Sequence, residues 1–370
     1  MKFDIVIVGA GITACVLAEQ LSKQGRSILI IEQRNHIGGN CYDFRNDNNL
    51  LIHKYGPHIF HTNKEEVWQY LSNFTDWEPY THRVLADVEG KLVPIPFNLN
   101  SLRDCFPTSL ANQLETKLLE RFGYGKKVSI LDLRKEVDED LQFLSNYIYE
   151  KVFVGYTTKQ WDVSPTDLDP SVTGRVPVFI SRDNRYFQDK YQSLPRLGYT
   201  EMFKNMLDNK NIHILLATNY FDVHQQLQYE KMIFTGKIDT FFDCKFGALP
   251  YRDLRFEFIN YNLEHFQEVA QVNYPCNHDY TRITDFSRFY NRTKHFGTSI
   301  AKEFSCEHNP LENLSPYYPV PNKESEIIFQ KYLSEAKNNE NIIFAGRLGN
   351  YKYYNMDDAV SKALELVKKI

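Results

Sequence analysis

The stretch Phe3-Asp4-Ile5-Val6-Ile7-Val8-Gly9-Ala10-Gly11-Ile12-Thr13-Ala14, answered by Glu32 eighteen residues later, decides the fold. The apolar, β-branched run over 3–8 is that of a strand buried on both faces of a parallel sheet. Gly9 and Gly11 remove side chains where the chain turns. The helix read over 15–23, stopped by Gly25, would turn its first N–H groups and positive end toward that bare turn. A second apolar strand, 27–31, ends at Glu32, placed to accept from the ribose hydroxyls of adenosine. Ala14 stands at the third glycine position, a replacement this fingerprint allows. A lone glycine pattern is weak. Here strand, helix and acid are in register, so the opening reads as a dinucleotide site in which Gly9, Gly11, Ile12, Thr13 and Glu32 contact the cofactor.

Arg34-Asn35-His36-Ile37-Gly38-Gly39-Asn40 follows at once. Its glycine pair lets backbone amides approach a cofactor a second time. That order is closer to the FAD-binding opening of amine-oxidase-like flavoproteins than to NAD dehydrogenases, although taken alone it is a simple loop.

Working outward, Leu110, Leu114, Leu118 and Leu119 recur at helical spacing, and Leu131, Leu133, Leu141, Leu144 and Ile148 suggest a further pair of helices. Segments over 84–96 and 254–304, rich in aromatic and β-branched residues, read as antiparallel strands. A short buried strand over 342–346 and an amphipathic helix over 356–370 close the chain. The expected class is therefore α/β: a Rossmann-like FAD-binding domain with a helical-bundle insert and an antiparallel β-sheet domain. The expected boundaries are 1–82 with 190–245 and 340–370 for the FAD-binding domain. The helical domain takes 100–165 and carries a mobile substrate loop; the sheet domain takes 83–99, 166–189 and 246–339.

Composition sets limits. The 370 residues are 42% hydrophobic and 24% charged, and the net charge of −4 argues against a nucleic-acid binder. Six scattered cysteines without a C-x-x-C pair suit neither a disulfide framework nor a zinc site, and no metal is expected. No basic leader is visible, and the uncharged run over 5–18 is too short to span a bilayer, so the chain reads as cytoplasmic with no membrane partner. Aromatic residues make up 14% of the chain, an unusual share that core packing alone can account for as far as composition goes.

Several stretches carry candidate chemistry. His58 and His61 sit in 54–62 without the acids or cysteines that a metal would need, so a histidine pair lining a flavin pocket is preferred over a metal site. Phe153, Tyr156 and Trp161 flank a polar loop suited to stacking on a flat base, although an isolated aromatic is more often core. Arg175 and Arg282 lie in polar, aromatic-rich surroundings, and an arginine fork matches phosphate oxygens. Gly346-Arg347-Leu348-Gly349 lies between a strand and the last helix, another geometry suited to an anion.

Together these segments resemble one family, the bacterial UDP-galactopyranose mutases, nearly end to end. The shared motifs are Y-G-x-H-I-F-H-T at 55–62, G-Y-T-x-K-Q-W at 155–161, D-N-x-Y-F-x-D-x-Y-Q at 183–192 and F-T-G-x-I-D at 234–239. They continue with F-G-A-L-x-Y-R-x-L-R-F-E at 246–257, Y-T-R-I-T at 280–284, P-Y-Y-P-V at 316–320 and G-R-L-G-x-Y-K-Y-Y-x-M-D at 346–357. The resemblance implies FAD, active when reduced, whose N5 is the nucleophile at the anomeric carbon in a non-redox interconversion of UDP-galactopyranose and UDP-galactofuranose. It implies that Arg175 and Arg282 meet the diphosphate and that His58 stands near the reactive ring. Phe153, Tyr156, Thr157 and Trp161 would lie on the uridine side, and Tyr186, Tyr318 and Tyr353 would donate hydroxyls to the diphosphate. Asn273 and Asn355 would face the substrate; Gly39, Asn40, His58, Arg347, Tyr353 and Met356 would contact FAD; His61 would flank flavin and sugar. A homodimer and a role in surface-polysaccharide synthesis are further implications. The chain departs from the family pattern at Pro57, Leu197, Asp279 and Asn355. The sugar nucleotide thus stays open between UDP-galactose, UDP-N-acetylgalactosamine and a dTDP-6-deoxyhexose, with an amine-oxidase-like oxidoreductase as the rival class.

Overall fold

A computed structural model describes residues 2–161, 176–290, 294–308, 316–320 and 322–370, with Trp161 described by its backbone alone. Strand β1 (Lys2–Val8), helix α1 (Ile12–Lys23) and strand β2 (Ile28–Ile31) form the opening unit. They belong to a five-stranded sheet in the order Ile212–Leu215, β2, β1, Gln228–Phe234, Ile342–Phe344, parallel throughout. One face packs on α1, Tyr199–Leu207 and Met356–Val367 through Ala14, Leu17, Leu21, Met202, Phe203, Val360 and Ala363. The other buries Val6, Leu29, Ile31, Met232 and Phe234. Both faces are covered, which is why these strands read as unbroken apolar runs.

Three boundaries differ from the sequence expectation. Helix α1 begins at Ile12 rather than 15, because extended Gly11 is its N-cap (φ −75°, ψ 176°) and the tight turn needs only the two glycines before it. The strand expected over 342–346 stops at Phe344, since Gly346 takes φ +79° and starts the short helix Gly346–Gly349. The closing helix ends at Val367 instead of 370.

A seven-stranded sheet follows the order Tyr318–Pro319, Tyr251–Tyr261, Thr298–Glu307, Arg282–Asp285, Gln271–Asn273, Val84–Val88, Lys91–Ile95. Its neighbours are antiparallel except Gln271–Asn273 with Val84–Val88, two strands remote in sequence and not joined by a hairpin. The helices Leu99–Cys105, Thr108–Phe122 and Glu139–Ile148 share one core with this sheet, formed by Leu114, Leu118, Leu141, Leu144 and Ile148 against Val84, Val93 and Ile95. Asn98 and Asp138 cap two of them by accepting from backbone N–H groups of their first turns. Beyond Ile148 the helix widens over Tyr149–Val154 and resumes as Gly155–Trp161. Gly155 lies so close to the Pro275 carbonyl that any side chain there would collide with it. A small antiparallel sheet of Phe60–Thr62, Tyr191–Pro195 and Trp77–Pro79 carries His61.

Candidate functional site

At the carboxyl ends of β1, β2 and Gln228–Phe234 lies a cleft of about 330 Å³, the position where open α/β sheets take ligands. Gly9, Gly11, Ile12, Thr13, Glu32, Gly39, Asn40, His58, Arg347, Asn355 and Met356 all line it. Gly9 has φ +99°, and a Cβ there would run into Thr235 Oγ1, whose hydroxyl donates to the Val8 carbonyl at 2.7 Å. Nothing stands within 4 Å of the position a Gly11 Cβ would take. The second glycine turn packs on the first: Gly38 N–H donates to Ala10 O at 2.8 Å, and a Cβ on Gly39 would come 2.8 Å from Gly11 Cα. No side chain fits between the two turns.

Glu32 is buried, its carboxylate accepting from Ala10 N–H and Arg34 N–H, each at 2.8 Å. These two bonds fix the acid at the strand end facing the cleft. The site also contains an incomplete cation. Arg34 donates from Nη2 to Asn40 Oδ1 at 2.9 Å, while its buried Nη1 has no acceptor among the described residues. An unfilled guanidinium donor, a turn closed to side chains and a helix N-terminus without a side-chain cap are what a dinucleotide diphosphate would complete. The residues present fit FAD. Sequence reasoning did not place Arg34 among the contact residues, nor Thr218, Asn219, Tyr220 and Phe221, which line the cleft near Glu32. Thr218 N–H donates to the Glu32 carbonyl at 3.0 Å. The local signal for that segment is the polar pair Thr218-Asn219, separated from the strand Ile212–Leu215 by Leu216 and Ala217.

A second cluster lies on the seven-stranded sheet. Arg282 and Glu303 are cross-strand partners, with Nε and Nη2 donating to Glu303 Oε2 at 2.8 and 2.7 Å. Glu303 is 1% exposed, and its other oxygen, Oε1, accepts from Thr281 Oγ1 at 3.3 Å. Burial pushes the Tyr156 hydroxyl up and the Tyr318 hydroxyl to about 12, and both feel the Arg282 charge. Each is therefore a protonated donor at neutral pH. Tyr353 stacks on Tyr318 with centroids 5.5 Å apart and planes at 19°. Arg347 lies 4.9 Å from the Tyr353 ring and donates to the Tyr317 and Tyr354 carbonyls at 3.2 and 2.6 Å. Since Arg347 also lines the dinucleotide cleft, it joins the two halves of the site.

His58 sits at the same junction. Its Nδ1 lies 2.8 Å from Gly56 O; a carbonyl can only accept, so Nδ1 carries the proton and Nε2 keeps its lone pair. Burial, reinforced by the charges of Arg347 and Arg282, lowers its pKa to about 4 and keeps the ring neutral.

The remaining sequence candidates fall in different places. Tyr186 meets His82 edge to face at 5.7 Å, and its hydroxyl acts electrostatically on Tyr156. Thr157 is buried beside Tyr156. Asn273 is the register partner of Arg282 and accepts at Oδ1 from Gln271 Nε2 at 3.1 Å. Phe153, expected on the uridine side, packs in the apolar core with Leu144 and Ile148. Asn355, expected against the substrate, lines the dinucleotide cleft next to Met356. His61 donates from Nδ1 to Asp189 Oδ2 at 2.6 Å and stacks on Phe187 at 3.6 Å. Arg175 and the Trp161 side chain lie outside the described residues. Glu303 was missed: it stands in phase with buried Ala301, but in a strand that also carries Thr298, Ser299, Lys302, Ser305 and Glu307, so the sequence does not single it out.

The helix bearing Tyr156 is held at its C-terminal end. Arg252 donates from Nε to Gln160 O at 3.2 Å and from Nη2 to Lys159 O at 3.4 Å. Ser305 Oγ donates to Gln160 O at 2.7 Å, and Lys159 Nζ to Tyr274 O at 2.8 Å. Cationic and hydroxyl donors thus satisfy carbonyls that a helix end leaves open.

Fold and cleft define a protein with a Rossmann-like dinucleotide-binding domain. A family model described as an NAD(P)-binding Rossmann-like domain matches residues 7–74. A putrescine oxidase variant superposes with a TM-score of 0.56 at 10% identity, over 100% of this chain and 99% of its own. A crystal structure of reduced UDP-galactopyranose mutase superposes with a TM-score of 0.72 at 16% identity, over 100% of this chain and 93% of its own. The model of the UDP-galactopyranose mutase family matches residues 151–353. A probable UDP-galactopyranose mutase of Klebsiella pneumoniae is 37% identical over 98% of this chain and 93% of its own length. A dTDP-fucopyranose mutase of Escherichia coli is 36% identical over 98% of this chain and 96% of its own. The chain belongs to the UDP-galactopyranose mutase family, and as such is an enzyme of the isomerase class.

Proposed function

We propose that this enzyme interconverts UDP-galactopyranose and UDP-galactofuranose with reduced FAD and no net redox change. The observation that carries the reading is Arg282. It is partly buried and fixed by Glu303 through Nε and Nη2, and it stands with the protonated hydroxyls of Tyr156 and Tyr318 beside a dinucleotide cleft. Reduced FAD, when bound, supplies the nucleophile, N5, that takes the place of the nucleoside diphosphate on the anomeric carbon.

The chain's own groups then have separate tasks. Glu303 occupies two Arg282 donors and leaves Nη1 to meet the departing and returning diphosphate. Because the guanidinium is already in place, no reorganisation is needed as charge develops. Tyr318, backed by the stacked Tyr353 ring, adds a hydroxyl donor to the same oxygens, and Tyr156 closes the cluster from its clamped helix. Neutral His58 accepts a hydrogen bond at Nε2 where cofactor and sugar meet. The family resemblance adds Arg175 as a second cation, Tyr186, Asn273 and Thr157 around the substrate, and Trp161 on the base.

The same reading includes the three-domain division, a homodimer, a cytoplasmic location and a furanose donor for surface polysaccharide. Among the described residues no helix is long and apolar enough to cross a membrane. The dTDP-fucopyranose mutase relative, nearly as similar as the UDP-galactopyranose mutase relative, favours one alternative substrate, a dTDP-6-deoxyhexose. The neutral Asn355 is compatible with either.

The test supplies FAD, dithionite and either UDP-galactofuranose or dTDP-fucofuranose, and follows the pyranose by ion-exchange chromatography. Conversion of the first supports the assignment, and conversion of the second alone moves it to the deoxyhexose. Oxygen consumption with stoichiometric substrate oxidation would replace both with an oxidoreductase.

A further inference from the structure

The unfilled donor of Arg34 is held by a support that reaches away from the cleft. The guanidinium Cζ lies 4.3 Å from the centroid of the Tyr55 ring, within range of attraction between a cation and an aromatic face. Asn40 Oδ1 fixes Nη2 at 2.9 Å, so ring and amide together set the guanidinium plane, and with it the position of Nη1. A buried donor left without an acceptor asks for a ligand that supplies one.

Tyr55 is itself held. Its hydroxyl lies 2.7 Å from His36 Nε2, and His36 Nδ1 lies 3.0 Å from the Ile37 carbonyl. A carbonyl only accepts, so His36 is protonated at Nδ1 and takes the Tyr55 O–H at Nε2. Tyr42 backs the imidazole, stacked at 3.8 Å and 16°. Burial lowers the His36 pKa to about 4, so the ring stays neutral and the bond persists across the physiological range. Lys54 also lies 5.7 Å from the Tyr55 ring, a second cation drawn to the same aromatic surface.

We propose that Arg34 Nη1 donates to a phosphate oxygen of the bound dinucleotide, and that Tyr55 and His36 are positioning residues that hold its guanidinium plane. This rests on the reading of the cleft as a dinucleotide site. Tyr55 and His36 act on the cofactor through Arg34.

The experiment titrates apoprotein with FAD and follows flavin fluorescence. Arg34→Gln is expected to raise the FAD Kd about 10–100-fold, the size of a charge-assisted hydrogen bond. Arg34→Lys should recover only part, since an ammonium lacks the planar fork. Tyr55→Leu should raise Kd about 3–10-fold, and Tyr55→Phe, which keeps the ring and loses the His36 bond, by less. The deciding measurement is the double-mutant cycle: in the Arg34→Gln background the Tyr55 substitutions should have no further effect. If they weaken FAD equally in both backgrounds, or leave Kd unchanged in the wild-type background, the positioning role is wrong. Should Tyr55→Leu lower the melting temperature of the apoprotein, Tyr55→Phe and His36→Gln take its place in the cycle. Wild-type protein that fails to bind FAD overturns the dinucleotide reading itself. Tight binding by wild type and Arg34→Gln alike overturns only this inference.

Discussion

The two glycine turns of the dinucleotide cleft lie within residues 9–40, whereas the Arg282 cluster gathers Tyr156, Arg282, Glu303, Tyr318 and Tyr353 from segments about 200 residues apart. In the first, what matters is where side chains are missing: Gly9 against Thr235, Gly39 against Gly11. In the second, what matters is which side chains meet, and the register of Arg282 against Glu303 decides that. A site of the first kind fails by steric filling; one of the second fails by loss of a partner. The two can therefore be broken separately.

The largest effect is expected at Glu303. Glu303→Ala would leave the partly buried Arg282 guanidinium without this partner, and the loss is expected at the lower end of the about 3–5 kcal/mol that breaking a buried pair from one side costs. Urea denaturation should show that loss. Unchanged stability would mean that another group fixes Arg282. Next comes Arg282→Ala, for which turnover should fall ~10²–10³-fold, roughly 3–4 kcal/mol of barrier, while FAD content stays near wild type. Equal loss of flavin and turnover would show that the two regions are not separable.

Gly9→Ala probes the opposite side of the comparison. With φ +99° and Thr235 in the way, strain of about 1–3 kcal/mol is expected, read as lost FAD occupancy. Adding Thr235→Ala should return part of it, because that hydroxyl is what the new methyl strikes; no recovery would place the strain in the backbone alone.

The smallest effect is a pH slope. The folded pKa of His58 is about 4 against an ordinary value of 6.5. Between those values the unfolded chain binds a proton that the folded chain refuses, so this group makes stability rise with pH there, by up to ~1.4 kcal/mol per unit. Thermal melts between pH 4.5 and 6.5 should flatten in His58→Gln relative to wild type. His53 and His82, buried with pKa values of about 3, contribute slopes of the same sign and remain in both proteins.

Much of this could be read before any coordinates. The βαβ opening, its glycine turn and Glu32 stand where the pattern placed them, because strand, turn and helix there are written in one contiguous run of residues, although the space beside Gly9 is closed by the distant Thr235. The helical insert was visible as leucine spacing and packs as that spacing requires. Phe153 shows the limit. Three residues before Tyr156, it packs in the core with Leu144 and Ile148; it lies in the widened stretch Tyr149–Val154 whereas Tyr156 lies in the helix Gly155–Trp161, and motif membership does not reveal that change of geometry. Asn355 is a second case: it is the N-cap of the last helix, its side chain makes no capping bond, and it lines the dinucleotide cleft.

What the sequence determined by itself is the βαβ opening, the glycine-lined approach to the cofactor and the family motifs, each carried by a short contiguous stretch of chain. What only the tertiary structure decided is the pairing of Arg282 with Glu303, the Tyr318–Tyr353 stack, Arg347 as the bridge between the two halves of the site, and the empty hand of Arg34. The physical reason is range: backbone conformation is set by adjacent residues, whereas the burial of a charge, and therefore its need for a partner, is set by the whole fold.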